Sequence, residues 1–153
     1  MRVFSTNPRQ TRELAAGLVK KILASPPHRK HARVLALVGD LGAGKTTFVQ
    51  GFAKALGIKN RMVSPTFLIF RKYGTSIRQP ADNFQFRYFY HVDVYRIQKS
   101  SELNALGFKK ILSDPQNIVL IEWADKIKRI LPKDTIWVRL EHGRHEKERR
   151  IYF

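Results

Sequence analysis

The chain has 153 residues, 43% of them hydrophobic, a formal charge of +17 and no cysteine. That length fits one domain over residues 1–153 with a real core, and the missing cysteine excludes disulfides, thiolate catalysis and thiolate metal sites. No apolar run nears the roughly 18 residues of a membrane span and Met1 to Gln10 carries no leader pattern, so the expectation is no membrane role and a cytoplasmic location.

Val3 and Phe4 read as a short edge strand. Asn7 before Pro8 is a helix-start signal: a side-chain oxygen caps free N–H groups, and proline supplies a helical φ where no donor is needed. Leu14, Leu18 and Ile22 recur at four-residue spacing beside Ala15, Val19 and Leu23, which predicts an amphipathic helix over 11–23 packed on a sheet. Ser25, Pro26 and Pro27 end it, and His28 to Arg33 is a basic approach to the next strand.

Val34 to Val38 is a five-residue apolar run that reads as a buried strand. It ends at Gly39, from which Gly39, Gly44, Lys45 and Thr46 match the pattern G-x-x-x-x-G-K-[ST]. A helical pattern follows, with Phe48, Val49, Phe52, Ala53 and Leu56 on its apolar side and Gly57 as C-cap. A strand feeding a helix through a glycine loop leaves backbone N–H groups free at the helix start, where they can surround phosphate oxygens. Asp40, Leu41, Gly42, Ala43, Gly44, Lys45, Thr46 and Thr47 are therefore the candidate nucleotide-binding residues. Lys45 adds a point charge near the terminal phosphates and the Thr46 hydroxyl a magnesium ligand. A plain glycine turn with a solvated lysine would not require the full spacing together with the strand and the helix.

Ser64, Pro65 and Thr66 put a restricted backbone and two hydroxyls between apolar runs, either as a nucleotide-sensing switch loop or as an ordinary capped turn. Phe67 to Phe70 begins a further strand, and Gly74 to Asn83 is a polar loop. Phe84 to Tyr95, rich in aromatic and β-branched residues, predicts one or two strands. Asp93 interrupts that run at a strand end, where it either holds magnesium or faces outward, paired with Arg96 or capping the next turn. From Ser101, the residues Leu103, Leu106, Phe108 and Ile111 give a helical pattern that Gly107 caps or breaks. Ile118 to Ile121 is the clearest buried strand after the first, and it ends in a second acid, Glu122, which local pattern slightly prefers as the metal-organising or water-orienting group. Trp123 stands at the sheet edge, where the crevice of an α/β fold opens. A basic helix over 123–131, a strand over 135–140 and a return strand over 151–153 complete the pattern.

The basic residues favour phosphate-rich partners such as RNA as much as they favour a merely solvated surface. Three functions are compatible with these residues: an ATPase, a small-molecule kinase, and a nonhydrolytic nucleotide-dependent RNA-binding or scaffold subunit. No acceptor motif or lid supports the kinase.

Several stretches in order resemble the TsaE family, also called YjeE: GDLGAGKTTFVQGFAKALG from Gly39, VSPTF from Val63, HVDVYR from His91, LGF from Leu106 and IEWADKI from Ile121. The resemblance covers nearly the whole chain. It implies an α/β fold, a small P-loop NTPase three-layer sandwich with a mixed, partly parallel sheet. It implies an accessory ATPase of tRNA threonylcarbamoyladenosine formation at adenosine 37, weak alone, using ATP/ADP and Mg2+. Its implied partners are TsaD and TsaB, whose complex it resets, with tRNA reached through that complex. On the residues of this chain, the resemblance makes Lys45, Asp93 and Glu122 catalytic. It makes Thr46, Asp93 and Glu122 the metal-linked set, Trp123 a nucleotide contact, and Ser64, Pro65 and Thr66 the switch. Val94 stands where the family usually has leucine, and the Gly74 to Arg87 segment is long.

Overall fold

The computed structural model describes residues 1–25, 30–65 and 67–153. The expected helix stop at Pro26 and Pro27, the basic residues His28 and Arg29, and the expected switch residue Thr66 lie outside the described residues. In chain order the elements are β1 (Arg2–Ser5), α1 (Pro8–Ala24), β2 (Arg33–Val38), α2 (Lys45–Ala55), β3 (Phe70–Gly74) and β4 (Tyr88–Asp93). They continue with α3 (Ser101–Asn104), α4 (Phe108–Ser113), β5 (Asn117–Glu122), a 3-10 helix η1 (Ala124–Ile130), β6 (Ile136–His142) and β7 (Arg149–Tyr152).

The strands form one sheet in the order β1-β7-β6-β2-β5-β4-β3. β6, β2, β5 and β4 are parallel, and antiparallel strands extend both sides: β3 beyond β4, and β7 then β1 beyond β6. Successive side chains of a strand face opposite ways. Leu35, Leu37, Phe89, Leu120, Val138 and Ile151 therefore enter one core with α1 and α2. Val34, Ala36, Val92, Val119 and Ile121 enter a second core with Leu103, Phe108, Leu112 and Ile127 from α3, α4 and η1. The result is a three-layer α/β sandwich of the P-loop NTPase kind. Because β5 is covered on both faces, all six of its residues are buried, which is why it reads as an unbroken apolar run. Among the described residues no helix is long and apolar enough to cross a membrane.

α1 begins as its sequence dictates: Asn7 is extended, its Oδ1 accepts from Gln10 N at 3.0 Å, and Pro8 opens the first turn. Asn7→Ala is expected to destabilise the protein by about 1 kcal/mol, read as a lower urea midpoint at unchanged slope.

Two expectations need correction, the strand start at Phe67 and the form of the helix over 123–131, and two left open are decided, the number of strands in the aromatic run and whether Gly107 caps or breaks its helix. The strand expected from Phe67 pairs only from Phe70. Leu68 N instead donates to Pro65 O at 2.8 Å and Phe70 N to Leu68 O at 2.7 Å, with Ile69 at φ +63. Those tight turns leave Phe67 83% and Leu68 61% exposed. The aromatic run supplies one strand, because residues 84–87 fold back instead: Gln79 N donates to Phe84 O and Phe86 N to Ile77 O. That turn buries Phe86 completely. The helix expected from Ser101 is two short helices on either side of Gly107, which sits at φ +71. Residues 124–130 wind as a 3-10 helix kinked at Ile127.

Candidate functional site

β2 ends where the phosphate-loop pattern begins. Gly39, Gly42 and Gly44 have φ of +150, +75 and +98, backbone that side-chain-bearing residues rarely adopt. A Cβ on Gly39 would also collide with the Leu140 carbonyl, so the loop leaves the sheet pressed against β6. Gly44 precedes α2 without a capping side chain, leaving the first-turn N–H groups available to an anion. The other wall of the loop comes from the far end of the chain. Arg149 Nη2 donates to Gly42 O at 3.0 Å, and His142 Nε2 donates to Leu41 O at 3.1 Å.

Lys45 is buried at the start of α2. Its ammonium donates to Gly39 O at 2.6 Å and Asp40 O at 2.8 Å, and it lies 3.8 Å from the Trp123 ring centroid. Burial lowers its pKa, opposed in turn by the charges of Glu122, Asp93, Asp40 and Asp125. Trp123 reaches this position through a positive φ of +61 directly after β5, and its ring packs on Tyr95 with centroids 4.9 Å apart.

The two acids end adjacent strands at the same level, since Asp93 and Glu122 are register partners in the β4–β5 ladder. Both are buried. Glu122 Oε1 accepts from His91 Nε2 at 2.7 Å, and its Oε2 accepts from Thr46 Oγ1 at 3.3 Å. Asp93 Oδ2 accepts from Ser64 Oγ at 2.5 Å, and Oδ1 accepts from Tyr95 N at 2.9 Å. Asp93 N donates to Ile69 O at 2.7 Å, so the loop before β3 is tied to the acid through both its hydroxyl and its backbone. Ile69, at φ +63, is a β-branched residue in the left-handed region. Backbone strain of this kind gathers at functional sites, and here Ile69 and Trp123 flank one.

These groups line a cavity of about 450 Å³ that includes Lys45, Thr46, Thr47, Ser64, Asp93, Glu122 and Trp123. Not every residue of the predicted set faces it. Ala43 is fully buried beneath the loop, Pro65 is buried beside Ser64, and Asp40 is exposed on the other side of the loop. As donors, the Thr46 hydroxyl and the two carboxylates are hard oxygens suited to magnesium. Among the described residues no group of three or more His, Cys, Asp and Glu gathers to hold a metal unaided. Magnesium at a phosphate loop completes its shell with phosphate and water, so this set fits the ion together with a nucleotide.

Sequence reasoning missed four residues here: His91, Tyr95, His142 and Arg149. His91 and Tyr95 stand two residues before and after Asp93, close enough for a strand-period reading to have flagged them. His142 and Arg149 carry no local signal, because only the β7-β6-β2 strand order brings them to the loop.

The model of the family "Threonylcarbamoyl adenosine biosynthesis protein TsaE" matches residues 5–151. A tRNA threonylcarbamoyladenosine biosynthesis protein TsaE of Bacillus subtilis is 36% identical over 149 residues, covering 97% of this chain and 82% of that protein. Its namesake in Rickettsia felis is 36% identical over 136 residues, covering 88% and 69%, and that of Haemophilus influenzae 33% over 115 residues, covering 75% and 66%. The crystal structure of YdiB from Bacillus subtilis superposes with a TM-score of 0.68 at 32% identity, covering 99% of this chain and 82% of that one.

Proposed function

This chain belongs to the TsaE family, and from that premise we propose that it binds and hydrolyses ATP in tRNA threonylcarbamoyladenosine biosynthesis. In this reading it is a weak ATPase alone and acts with TsaB- and TsaD-type proteins, resetting their complex between turnovers and meeting tRNA through it. The observation that carries the reading is the meeting of Thr46, Asp93 and Glu122 beside the phosphate loop, at the C-terminal ends of adjacent parallel strands.

Each residue has a task that its surroundings permit. The free amides at the start of α2 hold phosphate oxygens, and the positive-φ glycines shape the turn that presents them. Lys45 leaves its two carbonyl acceptors to meet negative charge on the phosphates, while Trp123 keeps water off its ammonium. When bound, magnesium would neutralise phosphate charge, held by the Thr46 hydroxyl and Asp93. Glu122 orients the attacking water, with His91 fixing the plane of its carboxylate. Ser64 couples Asp93 to the loop that carries Thr66, so that loop answers to the state of the site.

The test is phosphate release by the full chain, alone and with TsaB and TsaD homologues, together with ATP binding by Lys45→Ala. Wild-type release is expected to rise with the partners, and Lys45→Ala should bind ATP roughly tenfold to a hundredfold more weakly, the loss of a charge-assisted hydrogen-bonding group. Binding without phosphate release, even with the partners, would replace the ATPase by a nonhydrolytic scaffold. Transfer of the labelled terminal phosphate to a metabolite would replace it by a kinase.

A further inference from the structure

The second face of the sheet is covered unevenly. On that side α4 packs on β5 and η1 on β2, while β6, β7 and β1 turn their alternate side chains outward, with Trp137 half-buried at the edge of the second core. The registers place Arg139, Tyr152 and Arg2 in one cross-strand row, and Glu141, Arg150 and Phe4 in the next. Trp137 stands two residues before Arg139. Trp137 on β6, Tyr152 on β7 and Phe4 on β1 thus form a straight diagonal of rings. Each step crosses one strand and two residues, about 7–8 Å in ordinary sheet geometry.

Cations accompany the rings. Arg2 Cζ is 4.8 Å from the Phe4 centroid and 5.8 Å from that of Tyr152, and Lys128 Nζ is 5.8 Å from that of Trp137. Arg139 and Arg150 extend from the same face. The opposing carboxylates are Glu141, which accepts from the Tyr152 hydroxyl at 3.1 Å, Asp125 on η1 and the exposed Asp40 at the phosphate loop. A recess of about 610 Å³ opens beside the diagonal, lined by Trp137, Arg139, Tyr152 and Lys128 among others, and reaches back to Asp40.

We propose that this face binds single-stranded RNA directly, with successive bases stacking along Trp137, Tyr152 and Phe4 and with Arg2, Arg139, Arg150 and Lys128 meeting the phosphates. Rings on a sheet serve as stacking platforms because every base has a π face, and flanking cations then track the backbone. An acidic protein segment would use the same cations but has no need of a stepped row of rings. The sharing of one face by these charges is what a net +17 alone does not establish. The rings lie across the sheet from α2, the recess beside them shares Gly39, Asp40 and Trp123 with the phosphate-loop site, and RNA binding there does not rest on ATP hydrolysis.

The experiment is fluorescence anisotropy of a labelled single-stranded oligouridylate with the full chain, without nucleotide, over a range of salt. Phe4 is 52% exposed and Arg139 is exposed, so Phe4→Ala and Arg139→Glu should keep the fold, checked by thermal melting. Phe4→Ala is expected to weaken binding about tenfold with an unchanged salt slope, the signature of lost stacking. Arg139→Glu should weaken it and lower the slope by about one or more. Duplex RNA of equal charge is expected to bind more weakly. Unchanged affinity in Phe4→Ala, or equally strong binding of polyglutamate, would overturn the proposal and leave a general anionic or acidic-protein surface. Phosphate release measured on the same variants separates this outcome from failure of the ATPase reading.

Discussion

Glu122→Gln is expected to slow phosphate release about 10²-fold or more while the protein stays folded, checked by thermal melting. Glu122 is 2% exposed, and each carboxylate oxygen accepts a hydrogen bond, one from His91 Nε2 and the other from Thr46 Oγ1. Glutamine keeps the shape and one acceptor, and the Thr46 hydroxyl can reverse to accept from the new amide. The hydrogen bonds therefore survive and the charge does not. A water-orienting group loses its basicity entirely with that charge. One further consequence concerns Lys45, whose lowered pKa is opposed first by Glu122. Without that charge the pKa falls further, so nucleotide affinity should drop at a lower pH than in the wild type. His91 acts through Glu122 in this account: His91→Gln, which keeps a donor, should retain more activity than His91→Leu. Added to Glu122→Gln, His91→Leu should then cost little more in rate. Multiplying losses would mean that His91 does something other than orient this carboxylate.

What local backbone demands impose is legible in the sequence. Gly39, Gly42 and Gly44 all sit at positive φ, and the helix after them buries the five apolar residues its period marks. The parallel strands are legible too, since burial on both faces writes an apolar run. Each acid at the end of such a run reads as a candidate, but their meeting is a property of strand order. Asp93 and Glu122 are adjacent because β4 lies beside β5, which no local pattern states. The same holds for Arg149 and His142, carried to the loop by the β6–β7 hairpin. The basic residues were ambiguous for a related reason. Only the registers of β6, β7 and β1 show which arginines share a face with which rings. Phe67 and Leu68 mislead in the opposite way, because their strand-like composition lies in a turn fixed by Pro65 and the left-handed Ile69.

Gly51→Ala is expected to lower stability by about 2 kcal/mol or more, although alanine is the better helix former by about 0.5–1 kcal/mol. Gly51 lies on the side of α2 that packs against α1. A Cβ there would fall 2.5 Å from Arg12 Cα and 2.8 Å from its carbonyl carbon. Those are backbone atoms of a helix tied at its start by the Asn7 cap and packed along Ala15, Val19 and Ile22, so they cannot move aside as a flexible side chain would. The helices must separate instead, which loosens the apolar layer they share and shifts α2, the element that carries Lys45 and Thr46. Gly17 supplies the contrast within α1. Nothing lies within 4 Å of a Cβ built there, so Gly17→Ala should raise stability by about 0.5–1 kcal/mol through helix propensity alone. Urea unfolding of the two variants is therefore expected to shift in opposite directions. Stabilisation of both would show that the α1–α2 contact yields, and that the glycine at 51 is not required for the close approach of the two helices.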